Sequence, residues 1–71
     1  MFYMTVIQND TVLAEREYWS ASQCVEKMVA AHDYYKEKND AVEIVMRDKN
    51  KCFITRINSN EDLSNLNLIE R

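Results

Sequence analysis

Few side chains in this sequence could do chemistry: one histidine, His32, two cysteines, Cys24 and Cys52, and two close carboxylates, Glu15 and Glu17. Cys24 precedes His32 by two helical turns and more. At the helical rise per residue that spacing is roughly 12 Å, too long for the hydrogen bond through which a histidine base activates a thiol. A metal site built from Cys24, His32 and Cys52 would lack the paired ligand spacing that makes zinc motifs specific. Glu15 and Glu17 share a face if the segment is extended, but carboxylates so placed are ordinarily a solvated surface. His32 reads as a histidine at the edge of a core. These residues imply no reaction, no cofactor and no metal, and the expectation is a non-enzymatic protein.

Composition narrows the classes further. A chain of 71 residues, 46% hydrophobic and 30% charged, reads as one soluble domain over residues 1–71, near the lower size limit for a single apolar core. A net charge of −3 is too acidic for a general nucleic-acid binder and too weakly acidic for a DNA mimic. Residues 36–56 are locally basic, with six Lys/Arg against four Asp/Glu, which fits a solvated turn. No run approaches the roughly 18–20 apolar residues of a membrane span. The opening MFYMTVIQ has no basic segment and is too short for a signal peptide, so the expected location is the cytoplasm. Both cysteines are then reduced small hydrophobes; a disulfide between them stays open, but nothing requires it. Glycine and proline are both absent. Glycine-rich phosphate cradles, nucleophile elbows and glycine hinges are thereby excluded, and turns must be made by Asn, Asp, Ser or Lys.

The elements follow from periodicity. Residues 2–8 (FYMTVIQ) alternate and are rich in β-branched and aromatic types, as a strand requires. Asn9 and Asp10 suit a tight hairpin, and residues 11–19 return as a second strand. A two-residue loop would pair Val6 with Leu13, a three-residue loop Val6 with Val12. SASQ then forms a capping box of Ser20 and Gln23, with Trp19 stapled against Cys24. The spacing predicts a helix over about 21–38, burying Ala21, Cys24, Val25, Met28, Ala31, His32 and Tyr35. Asn39 ends it in a left-handed conformation. Residues 41–57 alternate, turn and alternate again. A loop at Lys49-Asn50 gives the pairs Met46–Phe53, Ile44–Thr55 and Val42–Ile57 inside, with Val45–Ile54 and Glu43–Arg56 outside; a bulged three-residue loop is the alternative. Ser59 resembles a helix cap, and Leu63, Leu66 and Ile69 suggest a short helical turn rather than a fifth strand in a tail over 60–71, the alternative being a frayed end. The fold class is α+β: a ββαββ domain with a four-stranded antiparallel sheet and one helix on one face.

One helix cannot cover both sheet faces, so the Val45/Ile54 pair is a candidate apolar patch, open to the C-terminal Leu63–Ile69 segment folding back over it or, failing that, to a second copy of the chain or another protein. Without proline or glycine at the edges, strand addition is open as well. Tyr3, Tyr18, Trp19, Tyr34 and Tyr35 raise the thought of base stacking. That reading needs a dense basic groove, and only Arg16 is close to Tyr3 and Tyr18 in sequence. Tyr35 belongs to the core arc and Trp19 to the staple. Tyr34 falls on the helix flank beside Ala30, where an exposed aromatic suits a protein contact.

From the end of the helix through the last hairpin, Tyr35, Glu37 and Asn39, then after a one-residue shift Ala41, Val42, Asp48, Lys49 and Cys52, the sequence resembles the Dmd family of small phage-encoded antitoxins. The likeness covers about 18 residues, with a matching element order outside them. It implies a protein that wedges into the RNA-binding cleft of a host endoribonuclease toxin and blocks it without chemistry. Asn39 would be a contact residue. The family pattern has a helix tryptophan where this chain has Ala30, with Tyr34 as the neighbouring replacement. The expected partner surface is therefore Ala30, Tyr34 and Asn39 with Lys49 nearby, and the expected partner a host protein. A homodimeric module using Val45 and Ile54 is the alternative, and a single-strand nucleic-acid binder a lesser one.

Overall fold

A chain without glycine must use ordinary residues wherever a turn needs a positive φ. The computed structural model, which describes residues 1–61, has four such positions: Asn9 (φ 52°), Asp10 (65°), Asn39 (61°) and Lys51 (65°). Three are Asn or Asp, whose short polar side chains tolerate the left-handed region best. The elements are β1 (Phe2–Gln8), β2 (Thr11–Tyr18), α1 (Ala21–Glu37), β3 (Glu43–Arg47) and β4 (Phe53–Asn58), and these positions lie in the β1–β2, α1–β3 and β3–β4 connections. The architecture is an α+β ββαββ domain. Its four strands form one antiparallel sheet in the order β2-β1-β3-β4, with the two hairpins joined through β1 and β3.

Each hairpin carries a bulge, for the same reason, and the second has the bulged three-residue loop that stood as the alternative to a loop at Lys49-Asn50. Asn9-Asp10 is the two-residue turn, and Gln8 pairs with Thr11 and Ile7 with Val12, but Val6 then pairs with Ala14. Leu13 is the extra residue. Without it Glu15 and Glu17 would point under the helix. With it Ala14 and Tyr18 pack on the core and the glutamates face outward. In the second hairpin the loop has three residues. Asp48 closes it, its carboxylate accepting from the N–H groups of Asn50 at 2.8 Å and Cys52 at 3.0 Å, and Lys51 takes the left-handed position, the usual form of a three-residue loop. Arg47 pairs with Phe53, Met46 with Thr55, Ile44 with Ile57 and Val45 with Arg56. The odd loop alone would turn Arg56 into the core. The bulge at Phe53/Ile54 restores the alternation, so Ile57 stays inside while Val45–Ile54 is not a pair.

The core is made by Met4, Val6, Ile44, Met46 and Ile57 from the sheet and Cys24, Val25 and Met28 from the helix, with Val42 closing the end. Ser20 caps α1, its hydroxyl accepting from the Gln23 N–H at 3.2 Å. The reciprocal arm reaches one residue further back than expected: Gln23 Oε1 accepts from the Trp19 N–H. The Trp19 ring is not stapled against Cys24 but stands 81% exposed, and Ala21 is exposed too. Ser59 caps no helix among the described residues. It is fully buried, donating to the Asp40 carbonyl and accepting from the Val42 N–H at 2.9 Å, so it ties the end of β4 to the helix–β3 connection. The helical turn expected around Leu63–Ile69 lies outside the described residues. No helix among those described is long and apolar enough to cross a membrane.

Candidate functional site at the helix C-terminus

The last turns of α1 end in a two-bond motif. The Asn39 N–H donates to the Lys36 carbonyl at 3.1 Å and the Asp40 N–H to the Tyr35 carbonyl at 3.0 Å, the pattern of a Schellman cap. With Asn39 left-handed, the chain turns sharply and leaves the Asn39 side chain exposed. Ser59 holds the far side of this connection. Tyr35 is half-buried against the core, and its ring meets that of Tyr34 edge-on at 5.0 Å and 85°. Tyr34 is 54% exposed yet fixed from a second side: Lys38 Nζ lies 4.9 Å from its ring centroid and donates to its hydroxyl at 3.2 Å. That hydrogen bond, before any other influence, raises the Lys38 ammonium above its ordinary range. The result is a solvated aromatic with little rotational freedom left to lose, the property that makes tyrosine an effective anchor in protein contacts.

Three shallow depressions surround this point. One, of about 380 Å³, is lined by Ala30, Asp33, Tyr34, Lys36 and Glu37, so Ala30 and Tyr34 share a groove. A second, of about 270 Å³, joins it through Lys36 and includes Asn39, Asp40 and Ser59. A third, on the sheet side, includes Asp10, Glu43 and Glu61. Six carboxylates (Asp10, Asp33, Glu37, Asp40, Glu43 and Glu61) thus line this end, with Lys36 and Lys38 as the helix-end cations. Glu43 is paired with Arg56 at 2.7 Å, diagonally across β3 and β4. That hydrogen bond raises the Arg56 guanidinium further.

Other expected site residues lie elsewhere. Lys49 sits in the β3–β4 turn, a full β3 length from Asn39, or roughly 16 Å, and does not join the helix end. Val45 is 3% exposed. Across from it lie Thr5 and Arg56, both neighbours to charged partners: Thr5 Oγ1 donates to Glu15 at 3.3 Å and Arg56 holds Glu43. Val45 is buried on the outer face, while Ile54 is exposed at the bulge. On the outer face Val45 and Ile54 are therefore not cross-strand partners: Val45 lies between Thr5 and Arg56, and Ile54 is the extra residue of the bulge.

His32 is buried, its Nε2 donating to the Glu61 carbonyl at 2.7 Å, with Nδ1 3.2 Å from Asp33. It fastens residue 61 to the helix. Cys24 is fully buried and Cys52 exposed, and both are free thiols. Among the described residues no three of His, Cys, Asp and Glu gather as a metal-ligand set. The role of Ser59 was missed from sequence, because its partners Asp40 and Val42 are distant along the chain. Comparison of the chain with protein-family models, with curated proteins and with solved structures gave no match.

Proposed function

We propose that this protein is a non-enzymatic, protein-binding inhibitor that acts through the helix C-terminal end, in the manner of the Dmd-like antitoxins it resembles. Its target would be an endoribonuclease toxin of the host cytoplasm, blocked by occupation of the RNA-binding cleft. One observation carries the reading: a braced, exposed Tyr34 beside left-handed Asn39 on a surface rich in carboxylates. A cleft that binds RNA must offer cations to phosphate, and a carboxylate-lined knob with a rigid aromatic is complementary to such a cleft in both charge and anchoring.

The alternative, a homodimer through Val45 and Ile54, would rest on Ile54, which is exposed while Val45 is buried. Purified protein added to RNA-cleavage assays with a panel of bacterial endoribonuclease toxins should suppress cleavage by at least one of them at near-stoichiometric ratio. Tyr34→Ala should weaken that suppression tenfold or more, as loss of an anchor residue does. Unchanged cleavage across the panel, together with no toxin recovered from bacterial lysate on the immobilised protein, would overturn the reading.

A further inference from the structure

The opposite end of the sheet has a different chemistry. Trp19 at 81% and Phe53 at 60% are the most exposed large apolar side chains among the described residues. Neither is loosely held by its backbone. The Trp19 N–H donates to Gln23 Oε1 at 3.2 Å, immediately before the capped start of α1, and Phe53 begins β4 at its bulge. The register sets Glu17, Tyr3, Arg47 and Phe53 in one row across all four strands, three strand spacings or roughly 14 Å wide. Trp19 lies just past the β2 end of that row.

Between the two aromatic ends stand cations. Lys51 Nζ lies 4.1 Å from the centroid of the Tyr3 ring and 3.6 Å from Glu15. Arg47 is next to Tyr3 in register, and Lys49 is exposed in the adjoining turn. The first turn of α1, beginning beside Trp19, contains no acidic residue, so the positive end of its dipole is not offset there. The objection to base stacking drawn from the sequence was that Trp19 is stapled and that only Arg16 lies near the tyrosines. In three dimensions Trp19 is free, and Arg47 and Lys51 sit at Tyr3.

We propose that this end of the sheet binds a short stretch of single-stranded nucleic acid. Bases stack on Trp19 and Phe53, and phosphates lie against Arg47, Lys49 and Lys51. Stacking platforms interleaved with cations are what sequence-tolerant single-strand binding uses, since every base has a π-face. The aromatics are separated by polar and charged groups rather than joined into one apolar wedge. That favours a nucleic acid over a lipid surface, which takes up a continuous apolar face. Glu17 in the row, Glu15 paired with Lys51 and Asp48 in the turn offset part of this charge and keep the number of neutralised phosphates to about two, so binding is weak and confined to a short site. The proposal does not depend on the inhibitor reading, which uses the other end of the molecule.

Trp19 is the chain's single tryptophan, so its fluorescence reports stacking directly. The test is titration with oligo-dT and oligo-U of about eight nucleotides at about 50 to 200 mM salt. Expected are quenching of Trp19 and a log–log salt slope of about −1.4, from about 0.7 per neutralised phosphate. Phe53→Ala, at an exposed position, should leave the fold intact by circular dichroism and weaken binding about tenfold. Arg47→Gln should reduce the slope by about 0.7. Absence of quenching at the lowest salt, or equal affinity of Phe53→Ala, would overturn the proposal. So would quenching by anionic phospholipid vesicles with none by the oligonucleotides, which would assign the face to a membrane surface.

Discussion

Burial pushes the Cys24 thiol up from its ordinary 9.0 to about 11, because the thiolate would lose its water among the core side chains. The folded protein therefore keeps the proton over a range in which the unfolded chain gives it up. Stability is fully present below about pH 9 and declines as the pH rises towards 11, by about 2–3 kcal/mol in all. Urea denaturation of wild type and Cys24→Ala on either side of that range should show a slope in the first that is reduced in the second; equal slopes would contradict the assignment. Ser59 is the other residue with a sharp consequence. Ser59→Ala leaves the Val42 N–H and the Asp40 carbonyl without their buried partner and should cost about 1–3 kcal/mol, with faster hydrogen exchange at the Val42 amide. A change within a few tenths of a kcal/mol would mean that water replaces the hydroxyl. Neither the Ser59 clamp nor the exposure of Trp19 was legible from sequence. Capping boxes and staples are local rules, and both residues are governed by contacts distant in the chain.

The elements themselves were legible. Asn9-Asp10, the Ser20 cap and Asn39 mark their ends by local chemistry that needs no tertiary information, and the helix arc from Cys24 to His32 is buried as its spacing requires. The strand registers were not. A hairpin loop sets the first pairs, but the core sets the facing, and each hairpin reconciles the two with one extra residue, Leu13 in one and Ile54 in the other. The same bulges blunt the two edge strands in place of proline. The turns carry a testable strain. Asp10 sits at φ 65°, where glycine has no Cβ penalty, so Asp10→Gly should stabilise the protein by up to about 1 kcal/mol, a rise of several degrees in Tm. A fall in Tm would show that the Asp10 side chain contributes more than its backbone costs.

On the scale of the whole molecule, the two ends of the sheet differ in charge and in what they expose. One gathers carboxylates around Tyr34 and Asn39; the other sets Trp19 and Phe53 among cations. Sequence showed a basic stretch over 36–56, but the strand β3 carries Lys49 away from Lys36 and Lys38, and a run that is continuous along the chain is divided in space. With both edge strands bulged and Val45 buried, the 8.4 kDa chain should sediment as a monomer at micromolar concentration; a stable dimer broken by Ile54→Asp would contradict this and give the outer face a role in self-association. The central claim is that the carboxylate-rich helix end is the acting surface. Its most direct measurement is RNA cleavage by a susceptible endoribonuclease toxin in the presence of two charge-reversed variants. Glu37→Lys with Asp40→Lys should abolish inhibition, while Lys49→Glu at the far end should inhibit as wild type does. Inhibition that survives the first pair, or that is lost with Lys49→Glu alone, would contradict the account.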